Sequence, residues 1–148
     1  MLSIKLSSDI VSQNIIYLAT TLDDVKSYFS EEEFLYLKEN FKSGKLLSVE
    51  SFNQYKGVCI VDTDKERATI NETIRKTGSQ VANTLNAKKL DSAQFVNLVA
   101  NSDFSVSFVE GVALTNYRFN KYFTQDEEDK QASLKNLWIT DKNFSEAL

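Results

Sequence analysis

Apolar positions in the stretch Ser102–Thr124 repeat with the spacing of an α-helix that is apolar over most of its circumference. One stripe contains Phe104, Phe108, Gly111, Val112, Phe119 and Tyr122. A second stripe contains Val106, Val109, Ala113 and Tyr117. The narrow wedge left for solvent contains Ser107, Glu110, Arg118 and Lys121, with Leu114 in its middle. We expect this helix to be covered by a sheet on one side and by a neighbouring element on another.

Short apolar or alternating runs predict six β-strands. Asn14–Ala19 is nearly continuous in apolar and β-favouring residues, as in a strand that is buried on both faces. Leu2–Leu6 alternates apolar and polar positions, which predicts a half-buried or edge strand. The remaining predicted strands are Leu46–Phe52, Gly57–Asp62, Phe95–Val99 and Leu134–Ile139.

Helical patterns separate these strands. Leu22–Tyr28 predicts a short helical turn. Ser30, followed by Glu33 three residues later, forms the capping-box pattern that begins a helix. The apolar face of this helix and its C-cap glycine are predicted to be Phe34, Leu37, Phe41 and Gly44.

A narrow apolar stripe after Asp62 predicts a long amphipathic helix that lies on a sheet. The stripe contains Ile70, Ile74, Val81 and Leu85, with Thr77 and Gly78 between them. Strands that alternate with long helices indicate an α/β domain with helices on both faces of a mixed sheet.

Size and charge restrict the function classes. The 148 residues predict one domain over residues 1–148, without an internal linker. A net charge of −4 argues against a nucleic-acid partner or an anionic membrane surface. The chain begins without the apolar region of a signal peptide, and no apolar run approaches the ~20 residues that a membrane span needs. We therefore expect a cytoplasmic protein with no membrane partner.

Candidate catalytic chemistry is sparse. The chain has no histidine and one cysteine, Cys59, whose apolar neighbours predict a buried, inert thiol. The turn at Asp62–Lys65 holds two carboxylates and no glycine, so it is a poor phosphate loop. Tyr117 and Lys121 have the spacing of a reductase pair but lack a dinucleotide loop, so packing is the better interpretation. We expect no catalytic residue, no bound cofactor and no metal site in this chain.

The segment Val109–Thr124, VEGVALTNYRFNKYFT, resembles a helix near the end of the N-terminal domain of leucyl (cytosol) aminopeptidases. The positions that match the family pattern are Glu110, Gly111, Leu114, Tyr117, Arg118, Phe119, Lys121 and Tyr122. The likeness is good over Gly57–Thr124 and faint before it. The chain departs from the family at Asp62–Asp64, where members often have glycines.

The resemblance implies a three-layer α/β/α sandwich similar to macro domains. It also implies that two zinc ions and the catalytic lysine and arginine belong to a separate C-terminal domain, whose NTDAEGR-like motif is missing here. The chain would then be the non-catalytic domain of a zinc aminopeptidase, as a fragment or encoded alone. Its expected partners are the C-terminal catalytic domain and further copies in a homo-oligomer.

Three apolar residues fall where solvent is expected, and we predict that they contact the catalytic domain or a neighbouring subunit: Leu114, Leu35 and Tyr36. Single apolar residues are common on protein surfaces, so a bystander role is the alternative for each. Two other functions remain open for the whole chain. It could be a stand-alone macro-like module that binds a ligand or a protein, or an unrelated small enzyme.

Overall fold

A computed structural model describes residues 2–51, 54–121 and 132–141. The strands are β1 (Ser3–Leu6), β2 (Asn14–Ala19), β3 (Leu47–Ser51), β4 (Gln54–Ile60), β5 (Ser92–Asn97) and β6 (Asn136–Thr140). The helices are a 3-10 helix (Leu22–Tyr28), α1 (Glu31–Asn40), α2 (Arg67–Ala87) and α3 (Ser102–Lys121). The predicted order of elements is confirmed within these ranges. None of the helices described there is long and apolar enough to cross a membrane.

The strands form one mixed sheet in the order β1-β6-β5-β2-β4-β3. Only β3 runs antiparallel to its neighbour, and the other pairs are parallel. Every residue of β2 is buried, because strands flank it on both edges and side chains cover both of its faces. The expected three-layer α/β/α arrangement is therefore confirmed.

Each face of the sheet has its own apolar core. On the first face, α2 and α3 bury Ile74, Leu85, Phe104 and Phe108 against strand residues that include Phe95. On the second face, the 3-10 helix and α1 bury Val25, Phe29, Phe34 and Leu37 against residues that include Tyr17. Successive residues of β2 alternate between the two cores, as the pleat of a strand requires.

The backbones of helices α2 and α3 are in close contact at two glycines, Gly78 on α2 and Gly111 on α3. A Cβ atom at Gly111 would overlap the carbonyl oxygen of Arg75, and one at Gly78 would overlap that of Phe108. The Ser79 hydroxyl also donates a hydrogen bond to the carbonyl oxygen of Gly111 at 3.3 Å. Both glycines are therefore required by the close approach of the helices.

The end of α1 differs from the prediction. Helix α1 stops at Asn40, and Phe41 adopts an extended conformation with an exposed ring, so it is not part of the buried stripe. Gly44 is not the C-cap. It lies in the following loop with φ of 76°, a conformation that favours glycine, and its amide donates to the carbonyl oxygen of Ile60 at 2.8 Å.

The environment of α3 also needs correction at two positions. Ser107, expected in the solvent wedge, is buried because it lies one helical turn before Gly111, where α2 presses against the helix. Tyr117, expected in an apolar stripe, is 61% exposed near the end of the helix. Tyr122 and the remainder of the predicted helix lie outside the described residues.

Candidate functional site

A pocket of about 480 Å³ lies at the carboxyl end of the parallel strands. Its polar lining comprises Ser8, Asn97, Thr140 and Asp141. Its apolar lining includes Ile10, Tyr28, Leu98 and Val99. These residues come from the ends of β5 and β6, the segment after β1 and the 3-10 helix, so the pocket joins regions that are distant in the sequence.

The topology of the sheet explains the position of this pocket. Strands β2 and β5 are neighbours. The chain leaves β2 toward the 3-10 helix on the second face, and it leaves β5 toward α3 on the first face. The two connections diverge and leave a crevice at the strand ends, which is where open α/β sheets bind ligands.

The Asn97 side chain organises the wall formed by β5 and its loop. Its amide nitrogen donates to Ser105 Oγ at 3.0 Å and to Asp141 Oδ2 at 3.2 Å. Its carbonyl oxygen accepts from the backbone amide of Val99 at 2.8 Å. Ser105 Oγ also donates to Asp141 Oδ2 at 2.7 Å. These bonds hold the Asp141 carboxylate in a defined orientation beside the start of α3.

The fully buried Gln94 connects the strands beneath the pocket. Its amide nitrogen donates to Thr140 Oγ1 at 2.6 Å and to the carbonyl oxygen of Asp9 at 2.9 Å. Its carbonyl oxygen accepts from the amides of Val11 at 2.8 Å and Ser12 at 3.2 Å. One side chain thus satisfies four polar groups and fixes the segment after β1 against β5 and β6.

Tyr28 forms an aromatic wall whose position is set by its neighbours. Its ring stacks on Tyr17 with centroids 4.7 Å apart and an interplanar angle of 21°. Burial, and to a lesser extent the nearby Tyr28, raises the pKa of Tyr17 to about 12. Lys56 Nζ donates to the carbonyl oxygen of Tyr28 at 3.3 Å.

The predicted contact residues do not form one surface. Leu114 is exposed on α3, which covers the first face of the sheet. Leu35 and Tyr36 are exposed on α1, which covers the second face. Their exposure agrees with the expectation, while their role in an interface stays a prediction.

Helix α3 carries the family resemblance, and its described matching residues either pack against α2 or lie on the protein surface. Gly111 is the contact point with α2, and Glu110 forms an exposed ion pair with Arg75 at 3.8 Å. Tyr117 and Arg118 are exposed. Phe119 and Lys121 belong to α3, but their side chains lie outside what is described, as does Tyr122.

Two kinds of reactive group, metal ligands and the single cysteine thiol, can be examined in the described residues. Within them, no three or more cysteine, aspartate or glutamate side chains are grouped to hold a metal ion. Cys59 is buried, and burial raises the pKa of its thiol, which disfavours the reactive thiolate. Reasoning from the sequence missed the pocket, although Asn97, a polar residue inside the apolar run Phe95–Val99, was a usable signal.

The sequence model of the cytosol aminopeptidase family, N-terminal domain, matches residues 38–126. The chain belongs to this family. The match includes the resembling helix, α2 and the strands β3, β4 and β5, so the predicted relationship is confirmed. No curated protein sequence matches the chain.

Solved structures show the same fold. A mutant of tomato leucine aminopeptidase has a TM-score of 0.66 and 16% identity over 94% of this chain, which spans 32% of that chain. A mutant macrodomain of Oceanobacillus iheyensis with ADPR has a TM-score of 0.59 and 10% identity over 94% of this chain and 84% of its own. This chain therefore corresponds to about one third of the tomato enzyme and to most of a macrodomain.

Proposed function

We propose that this chain is a non-catalytic domain that helps to assemble and shield a cytosolic leucyl aminopeptidase-like zinc peptidase. In this proposal a C-terminal catalytic domain, with two zinc ions, removes N-terminal amino acids from peptides. The observation that carries the proposal is the family match over residues 38–126, combined with coverage of only 32% of the tomato leucine aminopeptidase chain. In this proposal catalysis belongs to a part of the parent protein that corresponds to the remaining length of the tomato enzyme.

The outer side of α3 is the surface that we assign to a subunit contact in the homo-oligomer. Leu114 is 45% exposed there, and Tyr117 lies on the next turn. Arg75 and Glu110 form an ion pair beside this apolar strip. Interfaces commonly surround an apolar centre with polar groups, which supports this assignment.

The test is Leu114→Asp in the longer protein that contains this domain. Because Leu114 is exposed, we expect unchanged folding of the domain but at least about tenfold weaker assembly, since a buried unpaired charge costs a kilocalorie or more. Light scattering after size-exclusion chromatography measures the assembly, and circular dichroism measures the folding. Asn83→Asp is the matched control, because it adds the same charge to an exposed position on α2.

Leu35→Asp distinguishes the two predicted surfaces, because Leu35 lies on α1 at the opposite face of the sheet. Loss of assembly with Leu114→Asp alone supports α3 as the contact surface. Unchanged assembly with both variants would remove the interface role from Leu114 and Leu35 and leave them as ordinary surface residues.

The second candidate function is a macro-like module that binds a small ligand. The pocket at the strand ends favours it, because such pockets in α/β sheets are the usual ligand sites and 480 Å³ is sufficient for a small molecule. The macrodomain with ADPR supports the fold but not the ligand, since identity is only 10%. Ligand titration of the purified chain tests this candidate.

A further inference from the structure

A closed ring of three hydrogen bonds between buried groups surrounds the chain where it enters β6. The Asn86 amide nitrogen on α2 donates to Asn116 Oδ1 on α3 at 2.8 Å. The Asn116 amide nitrogen donates to the carbonyl oxygen of Leu134 at 2.7 Å, and the backbone amide of Leu134 donates to Asn86 Oδ1 at 2.9 Å. Each of the three residues is at most 4% exposed. The two asparagines therefore bind both backbone groups of one residue, just before the strand begins.

The apolar pattern of β6 excludes some positions of the strand in the sheet but not all of them. Leu137 and Ile139 are buried in the first core, and Trp138 between them is also apolar and lies on the other face. A slip of two residues would bring the charged Lys135 or Asp141 to a core position, which is costly. A slip of one residue would still place an apolar side chain, Trp138, on the core face. The pattern alone therefore distinguishes poorly between the observed register and a one-residue slip.

The connections of β6 do not select its register either. In a β-hairpin the turn fixes the register of the two strands, but both neighbours of β6 are parallel to it and none is joined to it by a hairpin. The chain reaches β6 from α3 through residues 122–135, a connection much longer than a hairpin turn. Backbone hydrogen bonds between strands can form again in a shifted register, so the sheet itself discriminates weakly.

We infer that Asn86 and Asn116 form a clamp that selects the register of β6. Successive N–H and C=O groups along a strand point in opposite directions, so a one-residue slip would turn the backbone away from both asparagines and leave buried polar groups unpaired. A buried asparagine fixes the register of coiled coils by the same kind of cost. The register also sets one wall of the pocket, because Thr140 lines it and accepts from Gln94 at 2.6 Å. The clamp is independent of the proposed role in assembly and goes beyond it.

Trp138 is the only tryptophan of the chain and reports the register directly. In the observed register it is half-buried, with Lys5 Nζ 5.7 Å from its ring centroid, and a one-residue slip would move it to the core face. We expect one indole signal for the purified chain in a proton–nitrogen NMR spectrum. The double variant Asn86→Leu, Asn116→Leu should show a second indole signal with about a tenth or more of the total intensity, because the slipped register is no longer disfavoured.

Leu85→Ala is the control for a general loss of stability. Leu85 is fully buried beside Asn86 in the sequence, so its truncation loosens the same part of the core but retains the three bonds of the clamp. We expect lower resistance to urea with a single indole signal. A second signal in Leu85→Ala as well would assign the effect to loosened packing and overturn the clamp. A single, unshifted signal in the double variant, shown by circular dichroism to be folded, would also overturn it.

Hydrogen exchange of the unmodified chain tests the clamp even if the double variant does not fold. Leu134 precedes β6, but its amide has a buried acceptor in Asn86, so it should exchange within about tenfold of the rate of Leu137 at the centre of the strand. Exchange of the Leu134 amide at the rate of an exposed loop amide would show that the ring of bonds does not persist in solution. That result would overturn the clamp without bearing on assembly.

Discussion

The two faces of the sheet are stabilised by different physical means. On the first face, two long helices meet at Gly78 and Gly111, and their contact is between backbone atoms. Apolar side chains fill the rest, including Phe95 and Phe108, whose rings stack with centroids 4.0 Å apart. The first face is therefore sensitive to the volume and shape of its residues.

On the second face, a short 3-10 helix and the ten-residue helix α1 depend on a polar anchor in addition to their apolar core. Lys56 Nζ contacts Glu33 Oε1 at 3.0 Å and lies 4.8 Å from the ring centroid of Phe29. It also donates to the carbonyl oxygen of Tyr28. The second face is therefore sensitive to charge. This matters for the pocket, because Tyr28 is one of its walls.

The largest expected effect belongs to the first face, at Gly111→Ala. Alanine has the higher helix propensity by about 1 kcal/mol, so propensity alone predicts stabilisation. The added methyl group would overlap the backbone of Arg75, which cannot rotate away as a side chain would. We expect a loss of about 3 kcal/mol or more in the free energy of unfolding, measured by urea denaturation.

Gly57→Ala is the control for this change. The atom closest to an added Cβ there is the terminal Cδ1 of Leu46, at 3.2 Å, and that side chain can shift. We expect a change within about 1 kcal/mol. Equal stability of the two alanine variants would mean that α2 and α3 can separate without cost, which would contradict the backbone contact.

The next effect belongs to the second face, at Lys56→Met. Methionine retains much of the apolar length of the side chain but removes the ammonium group, so three contacts are lost together. We expect the free energy of unfolding to fall by about 2 kcal/mol, because the partly buried Glu33 carboxylate loses its cationic partner and the carbonyl oxygen of Tyr28 loses a donor. Urea denaturation measures this change as well.

Lys88→Met is the matched control for Lys56→Met. Lys88 forms an ion pair of nearly the same length with Glu50, at 2.9 Å, but its side chain is 40% exposed whereas that of Lys56 is 12% exposed. Exposed pairs contribute roughly 0–1 kcal/mol, so a small effect is expected. If Lys88→Met destabilised the protein as much as Lys56→Met, burial would not be the source of the difference.

Local patterns predicted the elements that local forces determine. Asn14–Ala19 was predicted with the observed bounds, because every one of its residues is buried and its apolar run is continuous. The capping box of Ser30 and Glu33 is also present, since both partners lie within one helical turn. Strand β5 was predicted to begin at Phe95 but begins at Ser92. Gln94 interrupts its apolar pattern, and its hydrogen-bond partners lie 46 to 85 residues away in the sequence.

The pocket could not be predicted by the same reasoning. Its residues lie at or after the ends of four different strands, and only the order of strands in the sheet brings Tyr28 and Asp141 to one crevice. Periodicity reports which face of an element is buried but not which strand ends are neighbours. The sequence was more informative about the contact between α2 and α3. Gly78 and Gly111 each lie in a predicted apolar stripe, where a larger residue would ordinarily be expected.

The smallest expected effect is the pH dependence of the second face. The backbone amide of Ser30 donates to the Glu33 carboxylate at 2.9 Å, and this bond, together with Lys56, holds the pKa of Glu33 below its ordinary value. Because the pKa of Glu33 is lower in the folded state, the stabilisation that the ionised carboxylate gives is complete above its unfolded pKa of 4.5. This stabilisation is lost as the pH falls through the folded pKa. We therefore expect Glu33→Gln to cost about 1 kcal/mol at pH 7 and progressively less below pH 4.5. Urea denaturation of both proteins across this range measures the difference, and a difference that stayed constant with pH would assign the effect to side-chain shape instead of charge.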